Sequence, residues 1–236
     1  MTTSTPPTII AFASSKGGAG KSTSCLAIAG ALARRGETVH IVDFDFTQTL
    51  FRWYASNQSA QDIPNLTVEE GPPEDELAAF VSNIWNTRSG YVLIDLAGGL
   101  TDQMLLLATF AHLTVIPAKL SEPDILEAGK LSHNLDKLAE KLGKPIAHRI
   151  LINEVPSFLA AFQQHTLTQI QHAPLARFET LFHTRAGYPE SFFSGVPPHY
   201  ADQSRETIAK AVAEIDHLMR EVDEILQPAE EQKAAA

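Results

Sequence analysis

Residues 14–23 read SSKGGAGKST, and the rest of the chain is interpreted outward from this stretch. Its second half, Gly20-Lys21-Ser22, has the glycine, lysine and hydroxyl that a phosphate-binding loop needs in succession. The first half departs from the common G-x-x-x-x-G-K-S/T pattern. Ser15 stands where a glycine is usual, and a second lysine, Lys16, follows it at once. Gly17, Gly18 and Gly20 let backbone N–H groups turn inward with no Cβ in the way of a phosphate. One lysine suffices to hold the phosphates, so the second needs its own explanation.

The flanks supply the context. TIIAFAS (8–14) is rich in β-branched and aromatic residues and ends at the loop. After the loop, Leu26, Ala29, Leu32 and Ala33 recur at helical spacing, and Gly36 follows Arg34 and Arg35 as a stop signal. A strand, a glycine loop and a helix in that order place the helix N-terminus, with its partial positive charge, at the phosphates. Lys21 is then positioned for the β- and γ-phosphates and Ser22 for Mg²⁺. The bland alternative is a glycine-rich turn with no ligand, and the flanking strand and helix weigh against it.

TVHIVDF (38–44), YVLIDLA (91–97), LTVIPAK (113–119) and RILIN (149–153) read as further buried strands, and RFETLFH (177–183) as a possible sixth. Near-continuous apolar strands separated by helical stretches predict an α/β fold: a mostly parallel twisted sheet with helices on both faces. With 236 residues and 44% hydrophobic content, the chain can bury a sizeable core as a single domain, placed at residues 1–226. Residues 62–76, acidic and proline-containing, read as a surface loop, and residues 227–236 as a disordered tail. The start, MTTSTPPTII, has no basic segment and no long apolar run, so no signal peptide is expected. The single cysteine, Cys25, excludes an internal disulfide, fits a cytoplasmic protein and reads as a small core residue. A formal net charge of -10 argues against a surface coated in basic residues.

Three carboxylates belong with the loop. Asp95 closes the strand YVLID, where a magnesium-organising acid of Walker B type is expected. Asp43 and Asp45 end VHIVDFD two residues apart, so in an extended chain both point toward the carboxyl edge of the sheet, where ligands of open α/β sheets bind. Any one of them alone reads as a strand-end aspartate capping the next helix.

KGGAGKST together with the strand-end DFD and LID resembles the deviant Walker A family of ParA/MinD-type ATPases, over nearly the whole chain. The resemblance implies a P-loop NTPase that hydrolyses ATP with Mg²⁺ as a face-to-face homodimer. It also implies that Lys16 reaches across to the partner's nucleotide, stabilising charge there as an arginine finger does. Lys16, Lys21 and Asp45 are then the catalytic set, Asp45 orienting the attacking water. Gly17, Gly18, Ala19, Gly20, Lys21, Ser22 and Thr23 bind phosphate. Ser22, Asp95 and the neighbouring Asp43 hold the metal. By family position alone, Asn153 contacts adenine and Val196, Pro197 and Pro198 wall its ring; an asparagine closing a strand into a turn is the plain alternative for Asn153.

The chain also departs from the family. ParA proteins usually continue Pro-Gln after the second aspartate, and here the chain reads Phe46-Thr47-Gln48. The usual Thr-Pro or Ala-Pro after the Walker B acid becomes Leu96-Ala97-Gly98-Gly99. DFDFTQTLFRWYASN (43–57) looks closer to the conjugation-accessory branch that handles T-DNA borders. The resemblance therefore leaves partition or positioning of plasmid or chromosomal DNA, or of another cargo, beside accessory work in conjugative DNA transfer. A ParB-like or other activating protein partner is implied, and nucleoid association if DNA is bound. Ile208, Val212, Ile215, Met219, Val222 and Leu226 form a helical stripe whose polar face is acidic, which reads as a helix packed on its own domain and gives no membrane partner. Residues 145–210 are formally neutral, the least acidic part of the chain, and Arg185 and Arg205 are candidate contacts for non-specific DNA. The histidines there lack metal-ligand spacing. Two other classes stay open: a small-molecule P-loop enzyme of the dethiobiotin-synthetase kind, which Lys16 and the DFD pair oppose, and a module that binds ATP without turnover, which Asp45 opposes.

Overall fold

The run TIIAFAS forms β1 (Thr8–Phe12), which feeds through the glycine loop into α1 (Lys21–Arg34). The chain then alternates through β2 (Val39–Asp43), α2 (Thr49–Ser56), α3 (Gln58–Gln61), β3 (Leu66–Glu70), α4 (Leu77–Thr87) and β4 (Tyr91–Asp95). It continues as α5 (Asp102–Phe110), β5 (Leu113–Lys119), α6 (Glu122–Leu142), β6 (His148–Asn153), α7 (Ala161–His172), α8 (Gly187–Ser194) and α9 (Glu206–Ala234). The computed structural model describes residues 6–234; residues 1–5 and 235–236, on which part of the amino-terminal and tail readings fall, lie outside them.

The six strands pair in parallel in the order β3-β2-β4-β1-β5-β6. Because strand side chains alternate, Ile10 and Phe12 of β1 enter one core layer while Ile9 and Ala11 enter the other. The first layer is closed by α1, α2, α8 and α9, the second by α4, α5, α6 and α7. Both faces are covered, which is why the strands are apolar almost without interruption. Each fully buried Ile, Leu or Phe contributes about 1.5–3 kcal/mol of hydrophobic free energy. The chain crosses from β4 over β1 to β5, and that reversal opens a crevice at the carboxyl ends of the strands.

α1 is buried almost all round and is built largely of small residues, so neighbours approach it closely. A Cβ on Gly30 would meet Pro197 at 2.6 Å. The apolar stripe of α9 is buried: Ile208, Val212, Ile215, Met219, Val222 and Leu226 are each at most 8% exposed, the last four in the layer that α1 shares. Cys25 is fully buried, and burial pushes its thiol pKa well up, in keeping with a core residue.

Three expectations need correction. Residues 62–76 are not all loop, because Leu66–Glu70 is the edge strand β3, paired with β2. Its outer face is exposed, so only alternate residues need be apolar, and the acids and prolines around it mask the pattern. Residues 177–183 run beside β6 but make only isolated bridges, Ile150 to Arg177 and Val155 to His183. Phe178 and Phe182 N–H donate to Ile150 and Ile152 of β6, but Glu179 and Thr180 N–H donate instead to the Glu221 carboxylate of α9 at 2.8 Å each, so no continuous ladder forms there. The stretch from residue 227 is not irregular up to Ala234, since α9 continues through it.

Candidate functional site

The phosphate loop lies between β1 and α1 at the crevice. Gly18 (φ 74°) and Gly20 (φ 96°) take left-handed conformations that only glycine adopts freely. Gly20 is doubly constrained, because a Cβ there would lie 2.2 Å from the Asn153 amide nitrogen. That Asn153 nitrogen donates to the Ala19 carbonyl at 2.6 Å, so the end of β6 braces the loop. Asn153 Oδ1 is buried and has no partner. The structure thus adds a loop-bracing role to the adenine contact suggested by family position, and leaves one acceptor for a ligand.

Gly17, Gly18, Gly20, Lys21, Ser22 and Thr23 line a groove of about 630 Å³, with Asp45 on its opposite wall. Gly98, which sequence reasoning did not single out, belongs to the same wall: a Cβ there would sit 3.0 Å from the Gly17 nitrogen. This accounts for Leu96-Ala97-Gly98-Gly99 after Asp95, because the bare backbone packs directly on the loop. Gly99 N–H donates to the Ser14 carbonyl at 3.0 Å and fastens the two segments together.

Parallel register sets Asp43 and Asp95 side by side at the ends of β2 and β4. Ser22 Oγ donates to Asp95 Oδ2 at 2.6 Å, while Asp95 Oδ1 is buried without a partner. Burial raises the Asp95 pKa to about 7, against the opposing effect of the Ser22 hydrogen bond. A hydroxyl beside a carboxylate with one open oxygen fits a hard divalent ion completed by phosphate oxygens and water. Among the described residues no group of three or more His, Cys, Asp or Glu is placed to hold a metal by itself. Ser22 and Asp95 would hold Mg²⁺ there, and it would supply charge neutralisation at the phosphates.

A pH dependence follows. The folded Asp95 pKa, about 7, lies above the unfolded value near 3.9. The folded state therefore binds more protons in that window, and stability is lost as pH rises through it. Asp95→Asn keeps an acceptor for Ser22 and cannot ionise. In nucleotide-free denaturant melts, its stability advantage over the parent is expected to grow by about 1.4 kcal/mol from pH 6 to pH 8. A gap independent of pH would contradict this.

The two aspartates of DFD part company. Asp43 is 1% exposed, and its carboxylate accepts from three backbone amides: Asp45 at 3.0 Å, Leu50 at 2.8 Å and Phe51 at 3.1 Å. Gln48, at the N-cap of α2, supplies no side-chain cap, so Asp43 satisfies the orphan N–H groups instead. The metal assignment of Asp43 is corrected accordingly, since its oxygens are already committed to the backbone. Asp45 faces the groove, and its Oδ1 accepts from Thr47 N at 2.9 Å and Thr47 Oγ1 at 2.8 Å. Thr47 thereby orients Asp45.

The two lysines differ in setting. Lys21 is 5% exposed and lines the groove. The Lys16 side chain is 45% exposed and its ammonium lies 3.4 Å from Asp124 in the first turn of α6. Such an exposed pair contributes little and opens readily.

Beside the loop lies a second cavity of about 310 Å³, lined by Gly20, Thr23 and Asn153 on one side and by Phe182, His183, Arg185, Tyr188, Pro189 and Phe192 on the other. Of the second set, sequence reasoning considered Arg185 as a DNA contact and dismissed His183 as a metal ligand; the wall comes from a segment carrying no motif. Pro197 is corrected. It packs on Gly30, ten residues after Gly20 and about 15 Å along α1 by helical rise. Pro198, also assigned to the adenine ring, is buried in the short 3₁₀ turn Pro198–Tyr200 beyond it. Pro189 lines the cavity instead.

Of the candidate DNA contacts, Arg185 is corrected. Arg185 is bound to Glu214 in the cavity wall, and Arg205 pairs with Glu190. Arg177 pairs with Glu179 and Lys210 with Glu206. Arg185 is thus tied to the cavity beside the loop, whereas the pair of Arg205 is as exposed as that of Lys16 and opens as readily.

A six-stranded parallel sheet with a two-lysine glycine loop at its switch point defines a ParA/MinD-type ATPase with a deviant Walker A motif. The chain belongs to the VirC1 protein family, whose family model matches residues 8–196. It is 28% identical over 167 residues to the protein ParA of Rhizobium radiobacter, covering 69% of this chain and 70% of that one. It is 32% identical over 121 residues to the protein virC1 of the same organism, covering 51% of this chain and 52% of that one. The chain thus spans about half the length of that second relative. Among solved structures, the septum site-determining protein MinD of Pyrococcus horikoshii OT3, complexed with Mg-ADP, superposes with a TM-score of 0.61 at 15% identity. That match covers 89% of this chain and 94% of MinD, and it shows the shared fold. Among the described residues no helix is long and apolar enough to cross a membrane.

Proposed function

We propose that residues 1–226 act as one ATPase domain that binds ATP with Mg²⁺ in the groove, dimerises face to face and is released by hydrolysis to ADP and phosphate. The observation that carries this reading is the contrast between the lysines. Lys21 is buried beside Ser22 and Asp95, whereas the Lys16 side chain is 45% exposed and its ammonium pairs with Asp124, itself 28% exposed. A lysine so placed is free to serve a nucleotide held by a second copy. Phe46, on the groove wall, is 87% exposed, and Phe193, next to the groove residue Phe192, is 90% exposed. Large apolar rings left in solvent around a site suit a surface that a partner covers.

The VirC1 family match favours accessory work in conjugative DNA transfer over plasmid or chromosome partition. DNA contact in this reading is made by the dimer and read as phosphate neutralisation, with sequence preference supplied by a protein partner. Sizing with ATP and with ADP, beside turnover with and without duplex DNA, tests it. The expected result is a dimer with ATP alone, and DNA retention that falls steeply from 50 to 200 mM salt. A chain that stays monomeric with bound ATP overturns the switch. A clean ATP dimer with no DNA retention at low salt overturns the DNA part.

A further inference from the structure

We propose that Glu214 of α9 is the positioning residue of the cavity beside the phosphate loop. It holds three of the side chains that would meet a nucleotide base, and so sets how much tighter ATP binds than its phosphates alone. The inference rests on the ATP reading of the groove.

The geometry converges on one carboxylate. Glu214 Oε1 accepts from His183 Nδ1 at 2.9 Å and from Arg185 Nε at 2.8 Å, with a second Arg185 bond at 2.5 Å. Glu214 Oε2 accepts from the Tyr188 hydroxyl at 3.0 Å and from His183 N–H at 3.2 Å. His183, Arg185 and Tyr188 all line the cavity of about 310 Å³. The Glu214 side chain is only 13% exposed and that of Arg185 19%, so solvent screens the pair weakly. Burial, and then Glu214 itself, pushes the Tyr188 pKa up, so the hydroxyl stays protonated and remains a donor. In the same cavity Asn153 presents a buried Oδ1 without a partner, an acceptor awaiting a donor.

Without the carboxylate, Arg185 and His183 have no fixed rotamer and Tyr188 loses its acceptor, so a base would have to order them on binding. The phosphate loop is built from β1, α1 and the end of β6, and has no hydrogen bond to Glu214. α9 is held independently by its apolar stripe and by Glu221, so removing one charge from it leaves the fold standing.

The test compares full-length Glu214→Gln and Tyr188→Phe with the parent by calorimetric titration of Mg·ATP and of Mg·tripolyphosphate, which has no base. Glu214→Gln is expected to weaken ATP by about tenfold or more and Tyr188→Phe by about threefold, with tripolyphosphate affinity unchanged in both. Equal losses for ATP and tripolyphosphate, or an unchanged ratio between them, overturn the proposal by reducing Glu214 to a structural contact. A parent chain that binds both ligands equally also overturns it, while leaving the phosphate site intact. A parent chain that binds neither overturns the ATP reading itself. If Glu214→Gln fails to fold, Tyr188→Phe carries the comparison alone.

Discussion

Lys21→Ala is expected to lose nucleotide binding while keeping its fold. Lys21 is the buried cation of the groove, 5% exposed and packed beside Ser22 and the Asp95 carboxylate. Charge-assisted hydrogen bonds to phosphate contribute about 1.5–3 kcal/mol each. Removing two of them costs roughly a hundredfold or more in affinity at about 1.4 kcal/mol per factor of ten. The Lys16 ammonium cannot substitute within one subunit, because it sits on the outer side of the loop against Asp124. Titration calorimetry with Mg·ATP checks this, and affinity within a fewfold of the parent would remove Lys21 from the phosphate site. Far-ultraviolet circular dichroism on the same sample separates lost binding from lost folding.

The second large effect belongs to Asp45. Asp45→Ala is expected to bind ATP about as well as the parent, to dimerise, and to hydrolyse at least about a hundredfold more slowly. Asp45 reaches the groove from the segment after β2 and makes no hydrogen bond to the phosphate loop, so its removal leaves the cradle intact. The loss should therefore fall on turnover with affinity preserved, the pattern of a group that acts in the transition state. Single-turnover rates beside binding constants give the split. Turnover near the parent rate would assign water positioning to another group. Asp43 is a poor substitute, because its oxygens are already satisfied by the amides of Asp45, Leu50 and Phe51.

Much of this site is legible in the sequence because its chemistry is local. The loop's glycines, Lys21 and Ser22 are consecutive, and the strand before and helix after them carry ordinary period-two and period-3.6 patterns. Asp95 is readable because it ends an apolar strand, and Asp45 because it follows one by two residues; parallel strands deliver their carboxyl ends to one edge. Asp43 shares that position, yet its role was not readable from it. Whether a strand-end carboxylate meets a metal or caps a helix depends on which amides lie within 3 Å, and α2 lacking a cap of its own decides it.

The second cavity was illegible for a related reason. His183, Arg185 and Tyr188 of its wall are held by Glu214, 26 to 31 residues further along. No short motif records a contact of that separation. The same distance effect moved Pro197 onto Gly30 and interrupted the pairing of residues 177–183 with β6, since Glu221 takes the Glu179 and Thr180 amides. The sequence by itself determined the parallel sheet, the phosphate loop and the edge at which both strand-end acids arrive, because each depends on residues near in the chain. Only the tertiary structure decided which carboxylates stay open to a ligand and which spend their oxygens on the backbone. That choice is made by hydrogen-bond partners that packing brings from other elements.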